Sequence, residues 1–181
     1  MPEGKQSPKP GRFALFKAFL IFFFSLVFFF WVLNNDWVFR HIIAPYTGWV
    51  AFVATGILKL FGQAATQAGQ MVTVGNTSLS IATGCNGVEA LALYFSAVLA
   101  FPTDWKRKAV GLLIGLIGIF LINQIRVIGL FLVAMIKPEI LPEAHNYAGQ
   151  TFVIILGMAC WWFWAERFTG AFHVKNTANG R

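Results

Sequence analysis

The feature that most constrains this chain is a set of apolar runs too long for the interior of a small soluble domain. Leu116 to Met135 reads LIGIFLINQIRVIGLFLVAM, broken by Asn123, Gln124 and Arg126. A helix rising 1.5 Å per residue needs about 20 such residues to cross a hydrocarbon layer roughly 30 Å thick. Four runs are read as crossing helices: Phe13 to Leu33, Gly87 to Phe101, Ala109 to Ile136 and Tyr147 to Phe168. Composition agrees, with 57% hydrophobic and 12% charged residues, where a soluble domain carries about 25% charged. The expected class is an all-α integral membrane protein. One membrane domain over 13–168 lies between a disordered leader, 1–12, and a tail, 169–181, both cytoplasmic.

The net charge of +7 reads as topology and not as a nucleic-acid footprint, because Lys and Arg gather on the cytoplasmic side of membrane segments. Lys5, Lys9, Arg12 and Lys17 flank the start of the first run. Asp104-Trp105-Lys106-Arg107-Lys108 forms a tight turn between the second and third, and Arg167, Lys175 and Arg181 close the chain. A cleaved signal peptide has a shorter core and a small-residue exit. This core leaves through Phe28-Phe29-Phe30-Trp31, so the first helix is expected to remain.

A fifth stretch, Ile42 to Phe61, would put Lys106-Arg107-Lys108 outside if it spanned. Its residues Trp49, Phe52, Val53, Ile57, Leu60 and Phe61 recur at three- and four-residue steps. Thr47, Ala51, Thr55 and Lys59 fall mostly on other faces, and Pro45 suits a helix start. We read it as an amphipathic helix on the outer membrane surface, with a fifth span as the alternative. Residues 63–84 carry no charge. Within them Val72, Val74, Leu79 and Ile81 surround Gly75-Asn76-Thr77-Ser78, the pattern of a short extracytoplasmic β-hairpin. Trp31, Trp37, Trp161, Trp162 and Trp164 read as interfacial anchors, and Gly111, Gly115 and Gly118 as close-packing positions.

Three polar residues fall at one depth. Arg126 lies roughly 25 Å along its helix from Lys108, near the outer boundary. Cys85 stands at the outer entrance of the preceding span and His145 at that of the following one. A thiol, an imidazole and a guanidinium together suit acyl transfer. The thiolate attacks, and its pKa falls at a helix N-terminus or beside a cation. His145 returns a proton to the leaving amine. Arg126 stabilises an oxyanion, pairs with Cys85 or binds substrate. Glu89, one turn below Cys85, is expected to support the site, ion-paired with Arg126 or hydrogen-bonded as a neutral acid. Asn86 adjoins the cysteine as a supporting or substrate-binding residue. Asn123 bonds across helices or positions a substrate carbonyl. Cys160 lies about 20 Å from His145 along its helix, too remote to bridge Cys85, and reads as packing. Glu139, Glu143 and His145 match no zinc pattern, and nothing calls for a metal or cofactor.

The ordered set TGCNGVEALALYFSAVLAFP, DWKRK, NQIRVIGLFLV and HNYAGQTFVI resembles the exosortase/archaeosortase family of membrane transpeptidases. Its small size and CNGVEA form are most similar to exosortase H. The resemblance covers roughly Pro45 to Trp164, although Cys-Asn-Gly stands where Cys-Ser-Gly is common. It implies a multi-pass protein of the bacterial inner membrane whose site faces the periplasm. It implies exported substrates with a C-terminal motif, a transmembrane helix and a basic tail, with transfer to an acceptor the residues do not name. By position it makes Cys85 the nucleophile and Arg126 and His145 its partners. Two rivals are a small transporter or channel component with an Arg126–Glu89 polar path, and a non-catalytic assembly subunit whose polar residues only specify helix pairing.

Overall fold

The computed structural model describes residues 12–81 and 84–169. Most of the proposed leader and tail lie outside the described residues. The architecture is helical throughout, with one small sheet. Helix α1 (Arg12–Leu33) precedes a turn at Asn34-Asn35, where the Asn35 side chain accepts from the amides of Trp37 and Val38 and caps α2 (Asp36–Val38). A π-helical turn, Phe39–Ile43, carries α2 into α3 (Ala44–Leu60). Strands β1 (Ala65–Ala68), β2 (Met71–Val74) and β3 (Thr77–Ser80) follow, then α4 (Val88–Ala100) and α5 (Trp105–Ile136). The last helical body runs through α6 (Leu141–Glu143), a second π-helical stretch, Ala144–Gly149, and α7 (Gln150–Trp164).

Among the described residues, four helices are long and apolar enough to cross a membrane: Arg12–Leu33, Asp36–Leu60, Trp105–Ile136 and Pro138–Thr169. The class is therefore an all-α membrane protein with a short β element, as expected, but the spans differ from those expected. Helix α4 has 13 residues, about 20 Å, and falls short of the hydrocarbon thickness. Asp36–Leu60, with 25 residues, qualifies by length and composition.

Helix α3 turns its small and polar face inward. Thr47, Val50, Ala51, Ala54, Thr55 and Leu58 are buried, while Trp49, Phe52, Leu60 and Phe61 are exposed. The threonines are tolerated inside because Thr47 and Thr55 donate to the Ile43 and Ala51 carbonyls one turn back. The buried face joins Ala65, Val72, Val74 and Ile81 of the sheet segment to Val127, Leu130 and Phe131 of α5 in one apolar cluster.

The expected hairpin is two strands of a three-stranded antiparallel meander, in the order β1-β2-β3. Strand β1 is Ala-Thr-Gln-Ala, without the β-branched alternation that marks strands. It is recruited because Ala65 packs in the core and Gln67 donates to the carbonyls of Gly48 and Gly69.

The end of the bundle remote from Cys85 is held by a tight α4–α5 hairpin. Asp104 caps α5 by accepting from the Arg107 amide and pairs with its guanidinium at 3.1 Å. Three glycines on α5 admit bulky neighbours: a Cβ on Gly111 would strike Trp164, one on Gly115 Tyr94, and one on Gly118 the Cys160 sulfur. Trp164 is thus no interfacial anchor. It is fully buried and donates to the Arg107 carbonyl. Trp31, Trp37 and Trp162 are exposed.

Candidate active site

The loop between β3 and α4 reverses the chain through Gly84 (φ 89°) and Gly87 (φ 80°), conformations that L side chains rarely adopt. Cys85 and Asn86 sit between them. Asn86 is buried. Its amide donates to Thr47 of α3, and its Oδ1 accepts from the Val88 amide at the start of α4. It fastens the loop to two helices.

Helix α5 grips the same loop from beneath. Residues three apart share a helix face, and Asn123 and Arg126 use theirs on consecutive carbonyls. Asn123 donates to the Cys85 oxygen at 3.0 Å, and an Arg126 terminal nitrogen donates to the Gly84 oxygen at 2.8 Å. A Cβ on Gly87 would come within 3.0 Å of the Asn123 side chain, so glycine is required there by space as well as by φ.

His145 arrives from the π-helical stretch. Its Nδ1 lies 3.1 Å from the Cys85 sulfur and its Nε2 3.7 Å. Such π-helical insertions are rare and recur at functional sites. The wide turn also brings Gly149 against Arg126, where a Cβ would sit 3.0 Å from Nε. The structure thus brings Cys85, His145, Arg126, Asn86 and Asn123 together. Thr47, Gly84 and Gly149 complete the arrangement. Gly84 and Gly149 lie within the TGCNGVEA and HNYAGQ stretches, but the sequence assigns the three no role, because their roles arise only once α3 and the π turn are in place.

Two expectations change. Arg126 is only 5% exposed, but Glu89 does not neutralise it. Among the described residues the one ion pair is Arg107–Asp104. Glu89 instead lines a cavity with Arg126, whose Nε and second terminal nitrogen are buried without a hydrogen-bond partner. The Cys85 thiol is also not acidified overall. Burial pushes its pKa above the ordinary thiol range, Arg126 pulls it down, and Glu89 pushes it up. The neighbouring cation does not overcome desolvation, so the resting group is a thiol with a base in contact.

Two cavities meet this loop. One, of about 370 Å³, exposes Cys85 and His145 between Leu79-Ser80-Ile81 and α5. The other, of about 680 Å³, holds Arg126, Gly84, Gly87 and Glu89 at one end and runs between α1, α4 and α7 to Ala97 and Trp161.

The family model of the transmembrane exosortases matches residues 13–169. The chain belongs to this family. Among curated proteins and solved structures, none matches it. This exosortase is accordingly a multi-pass membrane protein of a transpeptidase family, and the matched residues contain the π-helical turns Phe39–Ile43 and Ala144–Gly149, the sheet and the whole Cys85 loop.

Proposed function

We propose that this exosortase is a membrane-embedded cysteine transpeptidase that cleaves C-terminal sorting signals of exported proteins at the outer face of the bacterial inner membrane. The observation that carries the reading is the 3.1 Å contact between Cys85 Sγ and His145 Nδ1, beside a guanidinium with unused donors. His145 takes the thiol proton as the sulfur bonds to the scissile carbonyl carbon. Charge gathers on the carbonyl oxygen, where an Arg126 N–H would stabilise it in a site shielded from water. The C–N bond then breaks, the imidazolium protonates the departing amine, and a thioester remains on Cys85. An acceptor nucleophile attacks that thioester and restores the thiol.

The assignments follow the neighbours of each group. Asn86 and Asn123 position the nucleophile through its backbone. Arg126 holds Gly84 with one nitrogen and keeps the others for substrate, while Glu89 offsets part of its charge across the cavity. The longer cavity, apolar along most of its length, offers the membrane-embedded segment of the substrate a path to the loop. The CNGVEA sequence favours an enzyme of the exosortase H type.

Mapping the C-termini of exported proteins in cells tests this reading. Substrates should keep their apolar C-terminal segment when the enzyme carries Cys85→Ala. Normal removal of that segment in the mutant would refute the assignment.

A further inference from the structure

The proposed function leaves open how a peptide is presented to Cys85, and the sheet supplies a means. Strand β3 is the last strand of the β1-β2-β3 meander. The Ile81 amide donates to the Gln70 carbonyl of the preceding turn, in the register that pairs Met71 with Ser80. Antiparallel ladders alternate along a strand. Thr77 and Leu79 therefore turn their amides toward β2, as Ile81 does, and Ser78 and Ser80 turn theirs to the open side. A side-chain contact agrees: Ser78 and Thr73, opposite each other as a non-hydrogen-bonded pair, join hydroxyls at 2.9 Å.

This open edge leads to the nucleophile. Leu79, Ser80 and Ile81 form one wall of the 370 Å³ cavity whose other walls include Cys85, Val127, Leu130 and Leu141. An unpaired strand edge is a template for an added strand, and edges beside pockets recognise extended peptides by backbone bonds and alternate side chains. We infer that the substrate segment just before the scissile bond binds as an added strand on β3, paired through the backbone of Ser78 and Ser80, with one apolar side chain in the cavity beside Cys85. This rests on the transpeptidase reading above.

Charge decides the kind of segment. None of the described residues lining this cavity is Asp, Glu, Lys or Arg, and residues 63–84 carry no charge at all. A charged side chain placed there would lose its hydration without a partner. The segment is uncharged and extended, its apolar residue next to the cut. A lipid chain fits the apolar walls but leaves the strand's donors and acceptors unused.

A photo-crosslinking amino acid at position 80, in the Cys85→Ala chain in native membranes, tests this. Crosslinks should reach exported proteins through the residues immediately before their apolar C-terminal helix. Crosslinks only to lipid, or only to a second copy of this chain, overturn the inference. The two readings fail separately: Cys85-dependent processing without such a crosslink removes the strand edge alone. The crosslink with Cys85-independent processing removes the transpeptidase and leaves the edge. In the otherwise wild-type chain, Ser80→Pro deletes one edge amide without touching the β2 ladder. It should process about two- to tenfold more slowly than Ser80→Ala, the range expected from one lost hydrogen bond. Equal rates for the two variants also overturn the inference.

Discussion

Cys85, the proposed nucleophile, has an unusual setting for a reactive thiol, because it is 8% exposed and its pKa is displaced upward. Labelling by a small maleimide should therefore be slow at neutral pH and accelerate as pH rises, with its midpoint above that of a free cysteine. Fast labelling at pH 7 would show that Arg126 outweighs burial. The guanidinium itself has two tasks, a carbonyl to hold and donors to spare. Arg126→Lys replaces a planar, multi-donor group with a compact ammonium. It should cost about a hundredfold in processing rate, the scale of one lost oxyanion donor. Near-wild-type turnover would place Arg126 outside the chemistry. The convergence of Cys85, Arg126 and His145 was legible in sequence, since counting along the helices from the basic turn places all three at one depth. That Glu89 does not pair with Arg126 and that the thiol is not acidified were not, because both depend on which neighbour reaches first and on how much water is excluded.

The helices raise a different question. Length and apolarity gave the long segments directly, but the short α4 shows that an apolar run does not by itself fix a span. Helix α3 shows why a periodic stripe is ambiguous. Its aromatic stripe is exposed in the structure, and its threonine and alanine face is the packed one, an arrangement that periodicity alone does not orient. The α3 face meets both the sheet and α5, with Trp49 stacked on Phe120 and Gln124 donating to the Val50 carbonyl. The amphipathic reading has this helix lie with the sheet on one side of the membrane. Reporter fusions after Phe61 and after Trp105 should report outside and inside respectively, the N-terminus being inside. The reverse pair would make Asp36–Leu60 a span. Strand β1 and the π turn at His145 escaped the sequence reading because Ala-Thr-Gln-Ala and Ala-His-Asn-Tyr-Ala-Gly carry no local signal for either.

At the scale of the molecule, one six-residue region, 84–89, separates two cavities of different character. The smaller faces the uncharged sheet, and the larger runs along the apolar helices. A substrate passing from a soluble domain into a membrane helix changes environment across just such a boundary, which is where a cut releases one part from the other. The central claim is that a thioester forms on Cys85 at this boundary. Acid-quenched native membranes, digested and weighed by mass spectrometry, measure it directly. The Cys85 peptide should carry a substrate fragment that neutral hydroxylamine removes. Substrate cleavage with Cys85 unmodified, or with the fragment on Cys160, would contradict it.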